Sequence, residues 1–148
     1  MATVIRGDDN FDTADAGKVL QVVEAQASGS LTSPTTSFAD VASSSITITP
    51  SSTSSKILLM WNTGGMSNGS NNAIKFKVIR GSTQVRGMSR FGYSAGTWNP
   101  MPISIQYLDS PATTAAVTYK LQAKEIGSAT MRVNQDGSSK MILMEIQG

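Results

Sequence analysis

The chain has 148 residues, of which 39% are hydrophobic and only 15% are charged, and its formal net charge is +2. One domain is the default at this length, and the sparse charge excludes a coiled coil, whose flanking positions need Lys and Glu. The absence of Cys and His removes catalytic thiols, thiolate or imidazole metal sites and every Ser-His-Asp triad. No apolar run approaches the roughly 20 residues of a membrane span, so no membrane insertion is expected.

Short β-branched segments separated by turn-forming residues predict an all-β sandwich. Ile74, Phe76 and Val78 alternate with lysines, which gives that segment one face for the core and one for water. Residues 18–26 also fit a short amphipathic helix, since Leu20 and Val23 share a helical face. The predicted strands are 19–23, 37–41, 46–49, 56–62, 73–80, 83–88, 101–107, 115–125, 130–133 and 140–146.

Two predicted strands, around residues 57–61 and 141–144, are apolar on both faces. One face meets the opposite sheet, so the other needs a second cover, and we expect another subunit to supply it. In a monomer the loop 89–100 would have to fold over that face instead. The candidate interface residues are Leu58, Met60, Met141, Leu143 and Met144.

An acidic segment opens the chain, with Asp8, Asp9, Asp12 and Asp15 in the first fifteen residues. It is not an EF-hand, because Thr13 replaces the required Gly and the bidentate Glu is missing. A cruder cation site stays open as an alternative to a solvated acidic arm, and neither a metal nor a cofactor is predicted. Residues 6–8 spell Arg-Gly-Asp, a three-residue match for which a turn is the preferred interpretation.

A cationic stretch runs from Lys75 to Arg90 with no acid inside it, through Lys77, Arg80 and Arg86. Nucleic acid is not predicted as a partner, because strand alternation puts Phe76 on the face opposite the lysines and removes it as a stacking platform. An anionic glycan, an acidic subunit surface or plain solvent are the remaining partners.

Glycoside hydrolysis by a pair of carboxylates is the hydrolytic mechanism that needs neither His nor Cys. The acids outside the N-terminal segment are Glu24, Asp40, Asp109, Glu125, Asp136 and Glu145. None of them lies in a recognisable motif, and 109–111 and 134–137 read as turns. The sequence therefore predicts no enzyme.

Ordered strings along the chain resemble a module of bacteriophage tail-fibre and other virion surface proteins. They are residues 17–23 (GKVLQVV), 36–41, 46–58, 78–83, 107–111, 117–121 and 141–146 (MILMEI). The resemblance covers about 17–148. It implies an antiparallel jelly-roll β-sandwich that forms a homotrimer, similar in architecture to tumour-necrosis-factor-like heads.

The resemblance also implies a function. We expect a viral structural protein at the virion surface, assembled in the host cytoplasm: a short trimeric fibre or knob with a role in host attachment. Residues 1–16 would form an N-terminal attachment arm that contacts other virion proteins through Asp8, Asp9, Phe11 and Asp12. These sixteen residues are too few for a fibre shaft at about 3.3 Å per residue.

Two alternatives remain from this reasoning: a capsid decoration (cement) protein, and a carbohydrate-binding or glycan-cleaving module. Recognition of a host surface glycan is assigned to the loops 62–72 and 89–100, which carry amides and aromatic rings. Trp98 would alternatively plug the end of the sandwich. The candidate receptor contacts are Asn68, Asn71, Asn72, Tyr93 and Trp98.

Overall fold

The computed structural model describes residues 17–33, 36–68, 73–91, 98, 100–127, 130–135, 137 and 139–148. All the regular structure within these ranges is β-strand. In chain order the strands are β1 (Val19–Ala27), β2 (Leu31–Ser33), β3 (Ala39–Ile48), β4 (Lys56–Ser67), β5 (Ala73–Arg80), β6 (Thr83–Phe91), β7 (Met101–Asp109), β8 (Val117–Ile126), β9 (Met131–Val133) and β10 (Ser139–Ile146).

Eight of these strands form two antiparallel sheets that pack face to face. The front sheet has the order β1-β10-β4-β7, and the back sheet has the order β3-β8-β5-β6. The short strands β2 and β9 pair with each other, and β9 also pairs with β4, so they extend the front sheet. This distribution of eight strands is the jelly-roll arrangement. The predicted all-β sandwich is confirmed.

The core lies between the two sheets and is filled by alternate residues of each strand. Trp61 of the front sheet and Phe76 and Tyr119 of the back sheet are its largest fully buried side chains. The alternation predicted for residues 73–80 is confirmed, because Phe76 and Val78 are fully buried while Lys75 and Lys77, which alternate with them, are half-exposed.

Several predicted elements differ from the structure, including strands 19–23 and 83–88, which extend to Ala27 and Phe91. The strands 37–41 and 46–49 join in β3, which passes a register shift between Asp40 and Ser45. Strand β4 continues to Ser67, through a segment that the sequence predicted as loop, because it pairs with β7 as far as Gly65 and with β9 from Gly65 to Ser67. The three-residue strand β2 was missed. The helix considered for 18–26 is strand β1.

Asn134 lies between β9 and β10, and its side chain connects this segment to the segment between β1 and β2 by hydrogen bonds. Its backbone is in the left-handed region, with φ 52°, and its side chain is buried. Its Nδ2 donates to the carbonyls of Ala27 at 2.7 Å and Gly29 at 2.6 Å, and its Oδ1 accepts from the Ser139 amide at 2.9 Å. This agrees with the turn predicted at 134–137, because Asn tolerates the left-handed conformation and bonds nearby backbone.

Candidate interaction surfaces and buried acidic residues

An apolar patch covers one end of the outer side of the front sheet. The strand register aligns Val22, Met144, Leu58 and Leu108 in one row across β1, β10, β4 and β7. Val22 is 56% exposed and Leu108 is 46% exposed, although both are large hydrophobic residues. Flanking rows add further apolar side chains. We call this set the apolar face: Val19, Val22, Leu58, Met60, Leu108, Ile142, Met144 and Ile146.

Polar side chains border the apolar face on the same side of the sheet, beginning with the exposed Glu24 and Gln106 at the two ends of the row that holds Ile142 and Met60. The row that joins Gln26, Lys140, Asn62 and Ser104 is exposed and polar throughout. A contiguous apolar patch with a polar border is typical of an interaction site.

The structure divides the five predicted interface residues between two sides of the sheet. Leu58, Met60 and Met144 lie on the apolar face and are half-buried. Met141 and Leu143 were assigned wrongly: they point into the core and are 1% and 0% exposed. Successive residues of a strand face opposite sides, so Leu143 and Met144 cannot share one surface.

The opposite end of the sandwich carries two of the predicted receptor contacts. Asn68 follows β4, and its Oδ1 accepts from the Thr130 amide at 3.1 Å while its own amide donates to the Thr130 carbonyl at 3.3 Å. Trp98 is 36% exposed, and the Arg132 guanidinium stacks on its ring at 4.0 Å from the centroid. The other three predicted contacts, Asn71, Asn72 and Tyr93, lie outside the described residues, as do Asp8, Asp9, Phe11 and Asp12 of the predicted arm.

A shallow groove of about 180 Å³ lies beside Trp98 at this end. Gly64, Met66 and Pro102 line it together with Arg132. The Arg132 Nε is buried without a hydrogen-bond partner among the described residues. The groove thus combines apolar walls with one cationic group and an adjacent exposed ring.

Two buried acids, Asp109 and Glu145, lie at the end of the sandwich opposite Trp98 and accept hydrogen bonds from neighbouring segments. Asp109 accepts hydrogen bonds from Arg80 at 2.6 Å and from the Tyr119 hydroxyl at 2.7 Å, which links the front sheet to the back sheet. Burial and the Asp109 carboxylate raise the pKa of Tyr119 above its usual range. The sequence predicted Asp109 as a turn residue, and no local pattern reveals this contact because its partners lie 10 and 29 residues away.

Glu145 is fully buried on the inner side of β10. It accepts from Gln21 Nε2 at 2.6 Å and from the Ser51 amide and hydroxyl, each at 2.7 Å. Burial alone would raise the pKa of Glu145, but these hydrogen bonds outweigh it and lower the pKa to about 2.

Glu125 is the third buried acid and lies at the Trp98 end, 1% exposed. The Ser67 hydroxyl is 3.3 and 3.4 Å from its two carboxylate oxygens. Burial raises the pKa of Glu125, and the hydrogen bond from Ser67 offsets part of that shift. In the described ranges no three potential ligands come together as a metal site, and no helix there could cross a membrane.

The outer side of the back sheet is cationic. Lys75 and Lys77 of β5 and Lys120 and Lys124 of β8 lie there, next to one acid, Asp40. Lys120 and Gln122 each donate to Asp40 at 2.7 Å, and these bonds lower the pKa of Asp40. Of the predicted cationic stretch, Arg80 is engaged by Asp109 and Arg86 is exposed on β6.

Phe38 lies beneath two of these lysines. Its ring centroid is 4.4 Å from the Lys77 Nζ and 5.3 Å from the Lys124 Nζ. Lys75 stands directly opposite Lys124 in the strand register. We call Phe38, Lys75, Lys77 and Lys124 the cationic patch.

Comparison with known proteins finds chains of similar fold. No protein-family model and no curated protein sequence matches the chain. A chain of the T13 particle of infectious bursal disease virus matches with a TM-score of 0.52 at 12% identity, over 99% of this chain and 40% of that chain. A structure of the Gx strain of the same virus matches with a TM-score of 0.51 at 14% identity, over 99% and 41%.

A bacterial protein shares the fold as well. Dimeric latent PorU from Porphyromonas gingivalis matches with a TM-score of 0.50 at 4% identity, over 90% of this chain and 14% of that chain. The chain spans about two fifths of the viral chains and a smaller part of the bacterial one. At these identities the likeness shows the β-sandwich fold.

Proposed function

We propose that this chain is a structural protein of a virion, and specifically a bacteriophage surface protein that forms a short trimeric fibre or knob with a role in host attachment. The apolar face of the front sheet carries the proposal. It is an exposed, bordered hydrophobic patch on a complete sandwich, as expected of a subunit that assembles. The sequence resemblance to phage surface modules and the fold shared with chains of viral particles support the same conclusion.

The proposed trimer contact is the row Val22, Met144, Leu58 and Leu108 with its neighbours. Val19, Val22 and Leu108 of this face are exposed and its other five residues are already half-buried, so burial in a contact gains only part of the about 1.5–3 kcal/mol that full transfer of such a side chain from water is worth. In the monomer alternative residues 89–100 cover this face; that segment leads into Met101, which pairs with Gly65 at the Trp98 end of β4 and not beside the apolar face.

The proposed domain organisation is an attachment arm of residues 1–16 and a sandwich domain of residues 17–148. The arm would bind other virion proteins through its acidic residues. In this arrangement the Trp98 end holds the exposed ring, the amide of Asn68 and the groove beside Arg132, which suit sugar hydroxyls and a pyranose face.

A capsid decoration protein is the second candidate, favoured by the viral particles among the matching structures. In that role the chain would join neighbouring capsomers. We propose no catalytic activity, because Asp109 and Glu145 are both engaged in hydrogen bonds that stabilise the sandwich. A carbohydrate-binding module would bind purified envelope polysaccharide without turnover, whereas a glycan-cleaving one would shorten it.

Localisation in the intact particle tests the proposal. Electron microscopy of virions that carry the chain should place it at a fibre tip or spike, at three copies per site. Density at capsomer junctions would select the decoration protein instead. Absence from purified virions would overturn both candidates.

A substitution at Trp98 tests the assigned recognition end. Trp98→Ala should reduce adsorption of particles to host cells while it leaves the melting temperature of the purified protein nearly unchanged, because the ring is exposed and its cation–π contact is worth about 0.5–1 kcal/mol. Unchanged adsorption would remove Trp98 from recognition, and a large fall in melting temperature would identify it as a plug.

A further inference from the structure

The cationic patch has no acid to balance it in the described part of the chain. Lys75, Lys77 and Lys124 are each half-buried, and no described carboxylate lies within ion-pair distance of them. The neighbouring acid, Asp40, is already engaged by Lys120 and Gln122. The patch therefore presents three ammonium groups to whatever contacts the back sheet.

The arrangement of these lysines opposes folding rather than assisting it. Lys75 and Lys124 are direct cross-strand partners, and like charges in that position destabilise a sheet. Lys77 and Lys124 share the ring of Phe38, which brings two cations to one attractive site. An external anion that binds between them would relieve both repulsions.

The shape of the surface indicates a polymer. Small ligands need a concave pocket, whereas these residues lie on the outer side of a sheet. Lys75 and Lys77 are two residues apart on one strand, about 7 Å, and Lys124 is on the next strand, about 5 Å away. A chain with repeated negative charges can contact all three at once and gain from their multiplicity.

The aromatic residues argue against a nucleic acid. Binding of single strands needs exposed rings on which bases stack. Phe76 is fully buried in the core, and Phe38 is engaged by the lysine ammonium groups.

We propose that the cationic patch binds an anionic polysaccharide, whose carboxylate groups contact the lysine ammonium groups of the patch. The inference rests on the proposed function in one respect: if the apolar face is buried between subunits, the back sheet lies on the other side of the sandwich and stays open to a ligand. It adds a second contact site to the Trp98 end and defines the charge class of the glycan.

Binding to polygalacturonate, with neutral dextran as the uncharged reference, tests the proposal. The full chain should bind polygalacturonate and not dextran, and binding should weaken as salt is raised because ions screen the charges. Replacing Lys75, Lys77 and Lys124 together by Gln should weaken binding about tenfold, while the circular dichroism spectrum stays unchanged and the melting temperature does not fall.

A matched triple substitution controls for net charge. Lys18→Gln, Lys56→Gln and Lys140→Gln remove three exposed lysines, one just before β1 and the others on β4 and β10, and should weaken binding less than about twofold. Equal losses in the two triple variants would overturn the proposal, and so would equal binding by the wild type and the patch variant. The single variant Lys77→Gln gives an intermediate loss if the site is correct.

Two further probes separate competing occupants. Polyglutamate that binds as tightly as polygalacturonate would identify an acidic protein surface as the partner and overturn the proposal of a glycan ligand.

Replacing Asp8, Asp9, Asp12 and Asp15 by Asn in the full chain should leave binding unchanged; a marked gain would overturn the proposal by showing that the acidic segment of the chain itself occupies the patch. These measurements on purified protein do not depend on where the chain lies in a virion, so their failure is distinguishable from failure of the proposed function.

Discussion

The two outer sides of the sandwich differ in their chemistry although both belong to half-buried antiparallel sheets. On the front sheet the outward positions of β4 and β10 hold Leu58, Met60 and Met144, whereas on the back sheet β5 and β8 place Lys75 and Lys124 outward. Water solvates lysine readily and hydrocarbon poorly. The front side therefore leaves more hydrocarbon in contact with water, and the back side is the better solvated of the two.

In the proposed function the front side mediates assembly, and the proposed role of the back side is to bind a charged polymer. The inner sides are alike, since both contribute large apolar residues to one core. The difference is thus a property of the outward residues alone, and substitutions there should change assembly or binding with little effect on the fold.

Charging the apolar face should have the largest effect. Met60→Asp combined with Met144→Asp would place two unpaired charges in the proposed interface, at a cost of several kcal/mol, and should abolish assembly. Ser45→Asp with Thr47→Asp, on the outer side of the back sheet, is the matched control and should leave the mass of the protein assembly in solution unchanged. Light scattering measures both, and a wild-type mass for the methionine variant would contradict the assignment.

Truncation of adjacent residues distinguishes the two sides of the front sheet. Leu143→Ala leaves a cavity in the core and should lower the free energy of unfolding by about 2–5 kcal/mol, independent of protein concentration. Leu108→Ala removes an exposed side chain, so its smaller cost should depend on protein concentration through assembly. Urea unfolding at two concentrations checks this. Equal costs for the two variants would mean that the inner and outer sides are not distinct.

Low pH should lower the free energy of unfolding because it protonates Glu145. Its pKa is about 2 in the folded chain, below the usual value of about 4.3 in an unfolded chain. The stabilisation is therefore complete above the unfolded value and is lost as pH falls towards 2, by at most about 3 kcal/mol. Glu145→Gln should lose this pH dependence in urea unfolding, and a variant with the wild-type acid profile would contradict the assignment.

Glu125 should behave in the opposite sense. Its pKa is raised by burial, so its protonated form is favoured in the folded chain and stability rises as pH falls through that pKa. Glu125→Gln should remove this rise and should be at least as stable as the wild type at neutral pH. A strongly destabilised variant would show that the carboxylate has an essential partner.

Removing a charge from the cationic patch should have the smallest effect. Lys75→Gln relieves the repulsion with Lys124 and should raise the free energy of unfolding by less than about 1 kcal/mol. Lys120→Gln is the comparison, because it loses an exposed ion pair to Asp40 worth up to about 1 kcal/mol. Thermal unfolding at low salt measures the difference, and destabilisation by Lys75→Gln would disprove the like-charge argument.

Much of the fold could be predicted from sequence because alternation is a local signal. The lysines between Phe76 and its neighbours define the two sides of β5 without any knowledge of the other strands. In β10 the pattern fails, since Met141, Ile142, Leu143 and Met144 are all apolar. Which pair faces the core depends on the register with β4, and this explains the wrong assignment of Met141 and Leu143.

The buried acids could not be predicted for a related reason. Asp109 and Glu145 acquire their partners from strands or loops distant in sequence, such as Gln21, which is 124 residues from Glu145. The sequence predicted a turn at 109–111, whereas Asp109 is the last residue of strand β7 and contacts Arg80 and Tyr119.

The mass of the unmodified protein in solution tests the central claim most directly, namely that the apolar face is a contact between copies of the chain. Light scattering at micromolar concentration should give three times the chain mass of 15.6 kDa. A monodisperse monomer would contradict the account.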